Sequence, residues 1–177
     1  MKQILIATLA IVAIPVIGVS AQSIPEKTGV NSVLGVAPKT QDFVTEAAQS
    51  DMLEIAASQL VADRNDAKDK SFADQMIKDH TQTTTELKGL VDGGKVKATL
   101  PAKMDKAHQS KLDDLKKAKG DDFRKQYESM QVSAHKDAVS LFQRYGKSGE
   151  NADLKDWAGK TLPTLQHHLQ MAQDLDR

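Results

Sequence analysis

With 177 residues, 24 lysines and arginines against 24 aspartates and glutamates, and no cysteine, the chain is long enough to bury one proper core and is formally neutral. The missing cysteine excludes disulfides, thiolate catalysis, sulfur-bound zinc and a lipid-bearing cysteine at a signal cleavage point. The charge balance excludes a long-range field that would steer the chain to nucleic acid or anionic lipid.

Met1-Lys2 gives a positive start, Ile4–Val19 an apolar run, and Val19-Ser20-Ala21 a small-x-small exit. Those are the three parts of a secretory signal peptide. A retained anchor needs roughly 20 apolar residues, and this run is shorter and holds Pro15 and Gly18. The expectation is a signal peptide over residues 1–21, cleaved after Ala21, and a periplasmic or secreted protein that keeps no membrane span. Gln22–Lys39 lacks periodicity and reads as a flexible leader. Residues 40–176 remain as one helical domain.

The first helix is expected from about Thr40 to Asp63, with Thr40 as N-cap. Phe43, Ala47, Ser50, Glu54, Ala57 and Val61 recur at steps of three or four, and Leu53, Ala56 and Leu60 widen that face. Arg64-Asn65-Asp66 makes a tight break, and Asn65 or Asp66 caps a second helix ending at Gly93-Gly94. Its seam is Phe72, Met76, Asp79/His80, Thr83, Leu87 and Leu90. So short a connection makes the first two helices antiparallel neighbours.

Pro101 pre-sets the first turn of a third helix, about Ala102 to Lys119. Its lysines alternate with aspartates and no aromatic residue lies among them, so it reads as a solvated surface crossover and not as a nucleic-acid patch. Gly120 closes it and Asp121-Asp122 open the fourth helix, where carboxylates complement the helix dipole. That helix carries Phe123, Tyr127, Met130, Ala134, Ala138, Leu141 and Tyr145 in one row, and Glu128, Val132, His135, Val139 and Phe142 beside it. Asn151 caps the last helix, whose seam is Leu154, Ala158, Thr161, Leu165, His168, Ala172 and Leu175. Pro163 frees the carbonyl of Gly159 and predicts a kink ahead of His167-His168. With no strand pattern anywhere, the fold class is all-α: a four-helix bundle with an additional short crossover helix.

Each long helix interrupts its apolar seam with an acid or an imidazole: Glu54, then Asp79 and His80, then Glu128 and His135, then His168. Buried ionisable groups are costly unless paired, hydrogen-bonded or bound to metal. Carboxylate and imidazole are the donors a transition metal ion takes in a cysteine-free bundle, so these six residues form the candidate metal set. Two registers remain open. If the third helix returns the chain along the bundle, the second and fourth helices are parallel. Glu54, Glu128 and His168 then stand roughly 11–14 Å from the first turn, with His80 and His135 near 21–22 Å. If the bundle is up-down throughout, His80, His135 and His168 fall within about 7 Å.

FVTEAAQSDMLEIAASQLVADR, FADQMIKDHTQ, LPAKM, YESMQVSAHKDAVSLF and LPTLQHHLQMA together resemble the exported bacterial family called domain of unknown function 4142, over about Gln41–Leu175. The resemblance implies a ferritin-like four-helix bundle and brings no established activity. A ferritin-type di-iron site needs Glu-x-x-His on two helices. Here Ile77, Val132 and Leu165 stand three residues before His80, His135 and His168, which argues against ferroxidase or oxygenase chemistry. No nucleophile elbow, phosphate loop or HExxH occurs. Asp113-Asp114 and Asp121-Asp122 are explained by solvation and capping, and His108 and His167 are expected to face solvent. Three readings follow: a non-enzymatic exported protein that binds a protein partner, self-associates or protects the envelope under stress; a transition-metal-binding bundle; and a redox enzyme needing two irons.

Overall fold

The computed structural model describes residues 35–64 and 69–175. The expected signal peptide, most of the expected leader and the caps expected at Asn65 or Asp66 lie outside the described residues. Five helices follow in order: α1 Thr40–Arg64, α2 Lys70–Asp92, α3 Lys106–Lys117, α4 Gly120–Ser148 and α5 Ala152–Leu175. No strand occurs among the described residues, and none of these helices is long and apolar enough to cross a membrane. The architecture is a helical bundle of four long members with α3 outside them.

Several boundaries differ from expectation: α3 stops at Lys117, and Gly120 opens α4 instead of closing α3. Helix α3 begins at Lys106, because the Asp105 carboxylate accepts from the backbone N–H of Ala107 and His108 at 2.8 and 3.0 Å. That cap satisfies two of the donors every helix start leaves open, and Pro101 stays in the preceding loop. Helix α2 begins only at Lys70, with Asp69 in the capping position. At the far end of α4 the expectation holds: Asn151 Oδ1 accepts from Leu154 N–H at 2.9 Å and starts α5, which runs helical through Pro163 to Leu175.

The segment after α2 runs back along α1 from its start to its end. Gln41 exchanges hydrogen bonds with the backbone of Thr99, Gln49 with Lys103 and Asp105, and Arg64 donates to the carbonyls of Lys116 and Ala118. Helix α4 therefore begins beside the start of α2, and the two run parallel. Aromatic contacts mark both ends. Phe72 of α2 meets Tyr127 of α4 with ring centroids 6.2 Å apart, while Phe43 of α1 lies 5.0 Å from Phe142 and 4.2 Å from Tyr145.

Helices α1 and α2 make one close pair and α4 and α5 another. In the second pair a Cβ on Gly146 would stand 3.2 Å from the backbone nitrogen of Gly159; the absence of a side chain at Gly146 is what admits that approach. The apolar core is divided in two. One cluster gathers Phe43, Leu87, Phe142, Tyr145, Leu154 and Trp157. The other gathers Leu53, Val61, Phe72, Met76, Phe123 and Tyr127. Fully burying each such side chain is worth about 1.5–3 kcal/mol. Between the clusters lies a polar layer.

At the edge of that layer the hydroxyls of Ser58 and Tyr127, both fully buried, meet at 2.9 Å. Ser58→Ala leaves the tyrosine hydroxyl without a partner. It should cost about 1–3 kcal/mol in thermal or denaturant unfolding. Adding Tyr127→Phe should recover most of that loss, and a double variant that falls further would refute the pairing.

Candidate metal centre

Three imidazoles, one from each of α2, α4 and α5, converge in the polar layer. The ring centroids of His80, His135 and His168 form a nearly equilateral triangle with sides of 5.6, 5.5 and 5.4 Å. One nitrogen from each ring lies within 4.8 Å of the other two. All three side chains are sealed from solvent, at 2%, 1% and 1% exposure.

The outward nitrogen of every ring is tied to an acceptor. His80 Nδ1 meets Asp51 Oδ1 at 2.8 Å, His135 Nδ1 donates to the Gln131 carbonyl at 2.9 Å, and His168 Nε2 meets Asp79 Oδ2 at 2.8 Å. A carbonyl oxygen can only accept, as can an ionised carboxylate, so each of these nitrogens carries the proton. In the neutral ring the other nitrogen keeps the lone pair: His80 Nε2, His135 Nε2 and His168 Nδ1. All three are buried and have no hydrogen-bond partner. Metal-ligating histidines show this arrangement, in which the second nitrogen is anchored and the tautomer fixed.

The anchors are themselves held. Asp51 Oδ2 accepts from Thr83 and Thr84 at 2.9 and 3.1 Å. Asp79 Oδ2 accepts from Gln75 at 2.6 Å. From α1, Glu54 accepts from Gln131 Nε2 at 2.6 Å through Oε2, while its Oε1 is buried without a partner. The hydrogen-bond partners of Asp51, Glu54 and Asp79 are thus histidine, threonine and glutamine; the charge of Lys78 also acts on the half-buried Asp79.

The titration pattern follows. Burial, then the charge of neighbouring His80, pushes His135 down to about 4. Burial also brings His168 down to about 4, against the pull of Asp79. Burial is the largest influence on His80 and acts downward, but the hydrogen bond and charge of Asp51, with Glu54 and Asp79, outweigh it and leave His80 raised. Burial holds the Glu54 carboxyl above its ordinary value. For Asp79, burial is outweighed by the hydrogen bonds from Gln75 and His168, and its pKa is lowered. Two imidazoles are thus unprotonated at neutral pH, as ligands must be.

Each register drawn from the sequence is right in part. Helices α2 and α4 are parallel and His80 and His135 stand level, as the parallel register has them, but His168 joins them, which only the up-down register expected, and Glu128 lies at another height. Because α2 starts at Lys70, His80 lies about 15 Å from its first residue. Glu54 lies about 15 Å from the end of α1 at Arg64. Helix α4 overhangs α2: Tyr127 is opposite Phe72, so eight residues further on His135 is opposite His80. Heights counted from each helix's own end had no common origin.

Of the six candidate residues, the structure gathers His80, His135 and His168 into the cluster, with Glu54 beside it and Asp79 behind His168. Glu128 is buried on α4 about 10 Å along the axis from His135 and stands outside the cluster. His167 is exposed as expected, while His108 is half-buried against Asp105. The sequence reading missed Asp51, Gln131 and Thr83 as anchors. Asp51 stands three residues before Glu54 and Gln131 four before His135, so helical spacing alone places both on the seam.

A family model described as domain of unknown function (DUF4142) matches residues 25–175. The comparison with curated proteins found no match, nor did the comparison with solved structures.

Proposed function

The chain belongs to the family described as domain of unknown function (DUF4142), a membership that leaves its activity to be argued from the site, and we propose that it is an exported protein binding one divalent transition-metal ion at His80, His135 and His168. One observation carries the reading: three buried imidazoles each have the outer nitrogen anchored and the inner nitrogen unpartnered. Three atoms no more than 4.8 Å apart lie within about 2.8 Å of a common point, against the 2.0–2.1 Å of a zinc–imidazole bond. Each ring has to advance by about 0.7 Å, a small rotation about its side-chain torsions.

The donor set selects the metal class. Three imidazoles with a carboxylate beside them suit zinc, copper, nickel or iron(II), and the missing sulfur disfavours copper(I). A dication would also add positive charge beside Asp51 and Glu54, two buried acids that hydrogen-bond to no lysine or arginine. All three imidazoles share one level, so the site is built for a single ion and not for the pair that a di-iron redox enzyme requires. Export is supported by the charged start, apolar run and small-residue exit of residues 1–21.

The test is elemental analysis of untagged protein, stripped and reloaded with zinc or copper(II) and then desalted. One ion per chain is expected for the wild type and none for His80→Ala with His135→Ala. Asp51→Asn, which leaves the ligands but alters the anchor of His80, should weaken binding by about 10–100-fold. Binding that survives loss of both histidines would place the ion elsewhere and overturn the reading.

A further inference from the structure

A sealed site raises the question of how an ion enters it. Between α2 and α5, the seam where the two close helix pairs face each other, runs a groove of about 480 Å³. Its lining includes Asp79, Thr83 and Glu86 from α2 and Trp157 and Thr164 from α5. Two of these residues reach the metal centre from behind. Asp79 holds His168 Nε2, and Thr83 donates to the carboxylate of Asp51, which holds His80. The imidazole of His168 therefore forms a wall: one nitrogen faces a groove residue and the other faces the cluster. Asp79 spans the same boundary, with 18% of its side chain exposed against 2% for His168.

We propose that this groove is the route by which a hydrated divalent cation reaches the three-histidine site, with the Asp79–His168 pair as its gate; the inference rests on the metal-binding reading above. The charges suit a cation. Asp79 stands at the inner end and Glu86, which accepts from the Trp157 ring N–H at 2.8 Å, lies along the wall. The groove's lysine, Lys160, is engaged by Asp156 at 2.6 Å. Threonine and glutamine side chains line the rest and can replace water molecules as the ion sheds its shell. Opening the gate requires one hydrogen bond, from His168 to Asp79, to break while the ring swings aside. Passage then exchanges aqua ligands for imidazoles with no covalent bond of the protein made or broken, and the hydrogen bond to Asp79 re-forms once the ring returns. Along the bundle axis the site is closed at both ends by the two apolar clusters, where a hydrated ion has no polar foothold.

The route predicts a kinetic effect without an affinity effect. Gln82 and Thr164 are exposed and line the groove, and neither side chain hydrogen-bonds a ligand or its anchor, that of Gln82 donating to Glu86, so Gln82→Phe with Thr164→Phe narrows the mouth while keeping the ligands and their hydrogen bonds. Trp157, the chain's one tryptophan, lies on the groove and reports cobalt(II) arrival by quenching. In stopped-flow mixing with cobalt(II), the double variant should bind and release the ion about tenfold more slowly than wild type. Its equilibrium affinity should stay within about threefold, because a barrier alters both rates equally. Unchanged rates in a variant that still binds one cobalt overturn the route and leave the metal reading standing. Weakened affinity at an unchanged association rate makes the two residues part of the holding site and also overturns the route. A wild-type protein that takes up no cobalt, zinc or copper overturns the metal reading itself.

Discussion

His135→Leu is expected to stabilise the metal-free protein and to destroy its metal binding. His135 Nε2 is buried without a partner, and an unsatisfied buried polar atom costs about 1–3 kcal/mol. The ring's other nitrogen donates to the Gln131 carbonyl at 2.9 Å. That carbonyl is also the helix's own acceptor for residue 135, so removing the ring orphans nothing there. Leucine is close in volume to histidine and sits between two apolar clusters, which makes the exchange a gain of about 1–2 kcal/mol. For a domain of this size the thermal midpoint of stripped protein should rise by about 2–8 °C. Affinity for zinc should fall by about 100-fold or more, since one of three imidazole donors is gone. Opposite signs in the two readouts are the mark of a site kept for binding at the expense of stability. If the substitution lowers the midpoint and leaves zinc affinity intact, the histidines are a structural network and the proposal fails.

The bundle was legible because its signals are local and repeated. Steps of three and four along Phe43–Val61 and Phe123–Tyr145, and the capping by Asn151, fixed the long helices within a few residues. The start of α3 was misread because Pro101 and Asp105 both offer a helix start. Only the side-chain bonds of Asp105 show which prevails. The candidate site was legible as a list of seam residues but not as a constellation. Whether His80 meets His135 depends on the overhang of α4 against α2, which is set by the packing of Tyr127 on Phe72, a contact 55 positions apart in the chain. The same overhang leaves Glu128 behind while drawing in Glu54. The inner and outer nitrogens were beyond reach altogether, since tautomers follow from anchors such as Asp51 that come from another helix.

Acid should unfold the metal-free protein by way of its histidines. His135 and His168 titrate near about 4 in the folded chain against 6.5 when exposed. Between those values the unfolded state binds protons that the folded state refuses, so stability rises with pH and is lost as pH falls from 6.5 toward 4. His80 adds no slope there: its raised value means that it is protonated in both states below 6.5, and its contribution is lost only as pH rises through the folded value. Glu54, raised by burial, works against the two histidines, because the folded chain takes up its proton above the ordinary 4.5. Asp79, whose pKa is lowered from 3.8, begins to contribute acid loss only near the bottom of the window. The net difference is one to two protons, or about 1.4–2.7 kcal/mol per pH unit at the steepest point. Urea unfolding of stripped protein at half-unit steps from pH 7 to 4.5 measures that slope directly. His135→Leu should remove about one proton from it. Saturating zinc should hold the protein folded further into acid, because the ion competes for the same lone pairs. A stability flat from pH 7 to 4.5 would show that His135 and His168 charge as freely inside the bundle as outside it, and the pair of sealed, unprotonated imidazoles on which the metal reading depends would be wrong.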